Sequence, residues 1–156
     1  MRELTKQWNS PITRLFEIDF SDFQPNVGPK KNLPLTWVQK RTIICFAQIK
    51  NTVQFSGPDI SIAELFLTDA QGTSPPNNLN QAFVSYDVSL SVGNRKGKYR
   101  AIPERQLSIA GVPTYQILNF NQGQQLFLVL RLALGESINN LTQGQAWVWF
   151  QYIRMR

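Results

Sequence analysis

The sequence predicts an all-β fold, an antiparallel sandwich or barrel of about eight strands in one domain. Three observations predict it. Apolar side chains recur at every second position through most of the chain, the period of a strand with one buried face. Clusters of Gly, Pro and Asn separate those runs. No stretch carries a helical period of useful length.

In chain order, "LFEIDF" places Phe16, Ile18 and Phe20 on one face and Glu17 and Asp19 on the other. "TIICFAQIKNTVQF" places Ile43, Cys45, Ala47, Ile49, Val53 and Phe55 on one face. Its opposite face holds Thr42, Gln48, Lys50, Thr52 and Gln54, interrupted by Ile44 and Phe46. In "DISIAELFLTDA", Ile62, Leu65 and Phe66 fit one face of a helix. The turn signals "FSGP" before it and "DAQG" after it nevertheless bracket a run of strand length, so a strand is expected. "AFVSYDVSLSV" sets Ala82, Val84, Tyr86, Val88, Leu90 and Val92 against Ser85, Asp87, Ser89 and Ser91. "QLFLVLRLAL" sets Leu126, Leu128, Leu130, Leu132 and Leu134 against Phe127, Val129, Arg131 and Ala133.

The last run, "TQGQAWVWFQYIRMR", is apolar on both faces. Ala146, Val148, Phe150 and Tyr152 alternate with Trp147, Trp149, Ile153 and Met155. In a two-sheet sandwich the opposite sheet buries one face of each strand. The small-to-large series from Ala146 to Tyr152 is expected to face that core, although Trp147 and Trp149 would also make a core face. If they point outward they need a cover, since a large apolar patch usually marks a contact surface. The segment around Trp8 or a neighbouring subunit would supply it. Arg154 and Arg156 lie past the apolar stretch and are suited to a partner's carboxylates or to phosphate. Trp8, Trp147, Trp149, Arg154 and Arg156 are therefore the expected subunit interface.

Composition narrows the function. The chain has 156 residues, 42% of them hydrophobic and 12% aromatic, enough to bury a real core. Residues 1–14 are expected to form an N-terminal arm and 15–156 the single domain. No apolar run reaches the length of a membrane helix, and the first residues lack the apolar core of a signal peptide. The single cysteine, Cys45, excludes an intrachain disulfide and is read as a small core residue. The chain contains no histidine, which removes Ser-His-Asp and Cys-His chemistry and the commonest zinc ligand. Glu17, Asp19 and Asp22 lie close together, but "EIDFSD" lacks the turn spacing of a calcium loop. No catalytic residue, metal site or cofactor site is assembled, and an enzyme is not expected.

Lys and Arg outnumber Asp and Glu by 16 to 10, a formal charge of +6. The densest cluster, "RKGKYRAIPER", holds Arg95, Lys96, Lys98, Arg100 and Arg105 with Tyr99 among them. Such a loop is suited to an anionic partner, whether nucleic acid, a membrane surface or an acidic patch on a neighbouring protein. It does not have the spacing of a phosphate loop. Exposed aromatics such as Trp37 or Tyr99 would alternatively stack on sugar rings, as in a glycan-binding or receptor-binding sandwich of a viral spike or fibre.

The order of these motifs carries a resemblance. "FEIDFSDFQP" is an opening strand that ends in an F-x-D-F step. "NLPLTWVQKRTIICFAQIKNTVQFSGPDIS" runs from a leucine-proline step through a long strand to an aromatic-Ser-Gly turn. "LNQAFVSYDVSLSV" follows a variable loop, and the pair "QQLFLVLRLAL" and "GQAWVWFQYI" closes the chain. This resembles the small single-jelly-roll structural proteins, coat and minor capsid subunits, of bacteriophages and related icosahedral viruses. The likeness covers roughly Leu15 to Ile153, with a longer, more basic "GNRKGKYRAIPER" loop and a longer N-terminal segment than that pattern. It implies an eight-stranded jelly roll and a virion protein made in the host cytoplasm. It further implies assembly with copies of itself and with other virion proteins, and no small-molecule substrate.

Overall fold

The computed structural model describes residues 1–3, 12–40, 42–68, 84–90, 107–109, 112–114 and 123–154. Among these, ten strands and two short 3-10 helices occur, and no α-helix. The strands are β1 (Arg2–Glu3), β2 (Ile12–Asp19), β3 (Lys30–Val38), β4 (Thr42–Ser56), β5 (Ala63–Thr68), β6 (Val84–Asp87), β7 (Leu107–Ile109), β8 (Val112–Thr114), β9 (Gln124–Leu132) and β10 (Gln143–Arg154). The first sheet has the order β1-β2-β10-β4 and the second β3-β9-β5-β6, with β7 and β8 as a separate hairpin. Every recorded pairing is antiparallel. The all-β antiparallel sandwich expected from the period of two is the fold.

The core lies between the two sheets. The first sheet contributes Phe16, Ile18, Ile44, Ala47, Ile49, Phe55, Ala146, Val148 and Phe150, and the second Leu65, Leu67, Val84, Leu126, Leu128, Leu130 and Leu132. Phe16 and Phe150 stack across the β2–β10 pair with centroids 6.2 Å apart. The last strand buries Ala146, Val148 and Phe150 completely and packs Tyr152 at the core margin, as its small-to-large series predicts.

Several side chains depart from simple alternation, and each departure has a local cause. In β4 the pairing with β10 slips three times, once where Gln151 and Tyr152 meet Phe46 and Ile44. Each slip inserts one extra residue on β4 and exchanges the faces beyond it. The buried face of β4 therefore reads Thr42, Ile44, Ala47, Ile49, Asn51 and Phe55. Ile44 belongs to the core instead of interrupting a polar face, and Val53 is only half-buried. Leu134 is 98% exposed, because β9 ends at Leu132 and the chain turns through Gly135 at φ +90°. Phe20 sits in the 3-10 helix Phe20–Phe23 instead of continuing β2. β2 itself starts at Ile12, ahead of the expected arm boundary, and β1 pairs with it.

The run from Val84 also ends early, at Asp87. The Asp87 carboxylate accepts from the Ser89 amide and hydroxyl, an Asx turn that bends the chain out of the second sheet. Val88 sits at this corner, fully buried. Its N–H donates to the Ala63 carbonyl of β5 at 2.8 Å, and its carbonyl accepts from the Phe55 N–H of β4 at 2.9 Å. Residues 88–90 then lie beside β4, with the Asn51 side chain donating to the Leu90 carbonyl and the Gln54 side chain to the Ser89 carbonyl.

Candidate interaction faces

The outward face of the first sheet is built in rows across three strands. Side chains paired across neighbouring strands share a face. β10 pairs Trp147 with Glu17 of β2 and with Lys50 of β4, and pairs Trp149 with Leu15 and Gln48. Because Ala146 and Val148 fill the core, Trp147 and Trp149 must point away from it. Trp147 is 38% exposed and Ile153 39%, whereas Trp149 is half-buried and Gln48 is buried. The Lys50 ammonium stands 5.8 Å from the Trp147 ring centroid, within reach of a cation–π attraction. On the other side of Trp147, Glu17 meets Arg2 of β1 at 3.8 Å, both side chains being well exposed. The face thus opens around Trp147, with an anion on one flank and a cation on the other.

The outward face of the second sheet is different. Phe66 and Val129 are buried there with Phe127 packed against them, a second apolar cluster separate from the core. The Arg131 guanidinium lies over the Phe66 ring at 4.8 Å and donates twice to one oxygen of Glu64, at 2.6 and 3.0 Å. Lys30 pairs with Arg131 in the β3–β9 register. Burial, and then the charge of Arg131, push the Lys30 ammonium below its usual pKa. Trp37, on the same strand, is 59% exposed. It is not a core residue, and it lies so close to Gly123 that a Cβ there would come within 2.7 Å of the indole.

The acidic residues at the end of β2 serve local structure. Asp19 caps the 3-10 helix by accepting from the Ser21 amide at 3.0 Å, and Asp22 accepts from the Asp19 amide at 2.9 Å. Asp22 also pairs with the N-terminal ammonium. Burial raises the Asp19 pKa. Hydrogen bonds from Ser21 and Gln145 and the nearby N-terminal charge outweigh that, and the carboxyl sits below its usual value. Glu136 behaves likewise at the β9–β10 connection. Burial raises its pKa, and donors at Ser61 and Ala133 more than offset it. No group of three or more His, Cys, Asp or Glu placed to hold a metal occurs among the described residues.

Of the residues expected at the subunit interface, Trp147 and Trp149 share the outward face of the first sheet. Arg154 is exposed at the end of β10 but falls in the opposite register, across from Thr42. Trp8 and Arg156 lie outside the described residues, as do Arg95, Lys96, Lys98, Arg100, Arg105 and Tyr99. The Cys45 side chain is likewise outside them. Sequence reasoning missed Glu17 and Lys50 as neighbours of Trp147. The polar half of each strand's alternation marks both residues, but only the register of three strands distant in sequence joins them. No family model, curated protein or solved structure matches the chain.

Proposed function

We propose that this chain is a structural subunit of a virus particle, a single jelly roll that works through contacts with copies of itself and with other virion proteins. The observation that carries this reading is the pairing order. β2 pairs with β10 in the first sheet, and β3 with β9 and β5 with β6 in the second. A long antiparallel ribbon paired first-with-last and rolled over itself produces this order, which is the construction of a jelly roll. The run of residues 88–90 beside β4, the last strand of the first sheet, is consistent with it, because the ribbon's remaining pair belongs there. The open apolar face around Trp147 supports a role in contact. The test is mass spectrometry and electron microscopy of density-purified particles from the source culture. A fixed copy number per particle and density that fits the sandwich are expected, and absence from every particle fraction overturns the reading.

A second reading has its own observation. Trp37 is exposed yet braced against Gly123, a fixed aromatic platform of the kind that stacks on the apolar face of a sugar ring. Binding on a glycan array that disappears in Trp37→Ala would favour a receptor-binding role over a purely structural one.

A further inference from the structure

We propose that the outward face of the first sheet pairs with the same face of a second copy, about a two-fold axis parallel to β10. The inference rests on the structural-subunit reading and adds the partner and the geometry.

The argument begins at the sheet edges. Of the four outer strands, β1, β4, β3 and β6, two make poor edges for strand addition. The β2 edge is covered by the two-residue β1, and β3, at the edge of the second sheet, carries Pro34 with a bulge beside it. Proline offers no N–H to a further strand, and bulges twist an edge away from pairing. At these two edges, contact between copies is left to faces and loops. Each outward face has buried groups and one exposed indole, Trp37 on the second sheet and Trp147 on the first, but Trp37 pairs with the uncharged Gln125 whereas Trp147 stands between two charged residues.

Charge then selects the symmetry. The row Glu17–Trp147–Lys50 places opposite charges on either side of the indole. When two such faces meet about an axis parallel to the strands, left and right exchange. Trp147 then meets Trp147 of the second copy, and each Glu17 meets the other copy's Lys50. The neighbouring row, Leu15–Trp149–Gln48, carries no charge and is compatible with the same axis. An axis across the strands at this row would set Glu17 against Glu17 and Lys50 against Lys50. A self-complementary patch of this kind is what a two-fold contact requires.

Size sets the strength. Three strands about 4.8 Å apart, over about six residues of about 3.4 Å, give a patch of roughly 300 Å² seen flat. A stable pair buries about 800 Å² per partner. The contact is weak in isolation and gains its effect by repetition within an assembly.

Charge reversal tests this without disturbing the core. Sedimentation equilibrium at high concentration should show wild-type dimers, weakened about tenfold or more in Glu17→Lys and in Lys50→Glu. Mixing the two variants in equal amounts should restore pairing as a heterodimer, because one copy then presents cations on both flanks of Trp147 and the other anions. Folding of each variant is checked by its thermal transition. Wild-type chain that stays monomeric at the highest concentration overturns the inference, as does a mixture no tighter than its components. Incorporation into particles is scored separately. Variants that fail to pair but a chain that is present in particles would leave the subunit reading standing, whereas absence from particles sinks that reading on its own.

Discussion

Gly144, near the start of β10, meets the buried ring of Phe55. A Cβ built there would come within 2.5 Å of the ring, and the backbone φ is +153°, a conformation that L side chains rarely adopt. Gly144→Ala therefore carries two costs. Forcing a methyl into a packed core costs about 1–3 kcal/mol, and holding a non-glycine residue in a glycine conformation costs about 1–3 kcal/mol. A loss of about 3 kcal/mol corresponds to a fall in Tm of about 9 °C for a chain of this length. The two costs separate in a double-mutant cycle. Phe55→Leu alone creates a small cavity and costs about 1–2 kcal/mol. In that background the clash is relieved and only the backbone cost of Gly144→Ala remains, giving a coupling of about 1–2 kcal/mol. Urea unfolding of the four proteins measures it. A Gly144→Ala cost below about 0.5 kcal/mol, or an equal cost in both backgrounds, would refute the reasoning.

Three other outcomes are expected. Gly57→Ala should destabilise at least as much as Gly144→Ala, and no side-chain truncation should rescue it, because the added Cβ would lie 1.8 Å from the Asn140 carbonyl oxygen and 3.0 Å from the Leu141 Cα, both backbone atoms; thermal unfolding with and without Asn140→Ala checks this. Asp19 and Glu136 both have folded pKa values below their ordinary ones, so each contributes stability above its unfolded pKa that is lost as pH falls through its folded pKa; Tm should drop below about pH 4, and Asp19→Asn with Glu136→Gln should flatten that drop. Glu64→Ala should cost about 1 kcal/mol, since the Glu64–Arg131 pair is partly exposed, and a cost that does not shrink with added salt would count against an ionic origin.

How much of this was legible in the sequence depended on the range of the interaction. Alternation is local, so the core sides of β2, β9 and β10 followed from it, including the outward placement of Trp147 and Trp149. Bulges are set by partner strands, so the buried Thr42 and Ile44 of β4 were not visible in its own pattern. The end of β9 and the corner at Val88 depend on turns whose signals, Gly135 and Asp87, were present but did not fix the last strand residue. The Glu17–Trp147–Lys50 row lies furthest from local information, because it exists only once β2 and β4 flank β10. The basic cluster from Arg95 to Arg105 falls outside the described residues.

The corner at Val88 has a consequence for how the sandwich comes apart. One residue is bonded to both sheets, its N–H to Ala63 on β5 and its carbonyl to Phe55 on β4. It acts as a rivet between two plates, so this end cannot fray one sheet at a time. The Val88 and Phe55 amides should therefore exchange their hydrogens at one common rate, set by opening of the whole domain, while the exposed end of β10 at Ile153 and Arg154 exchanges much sooner.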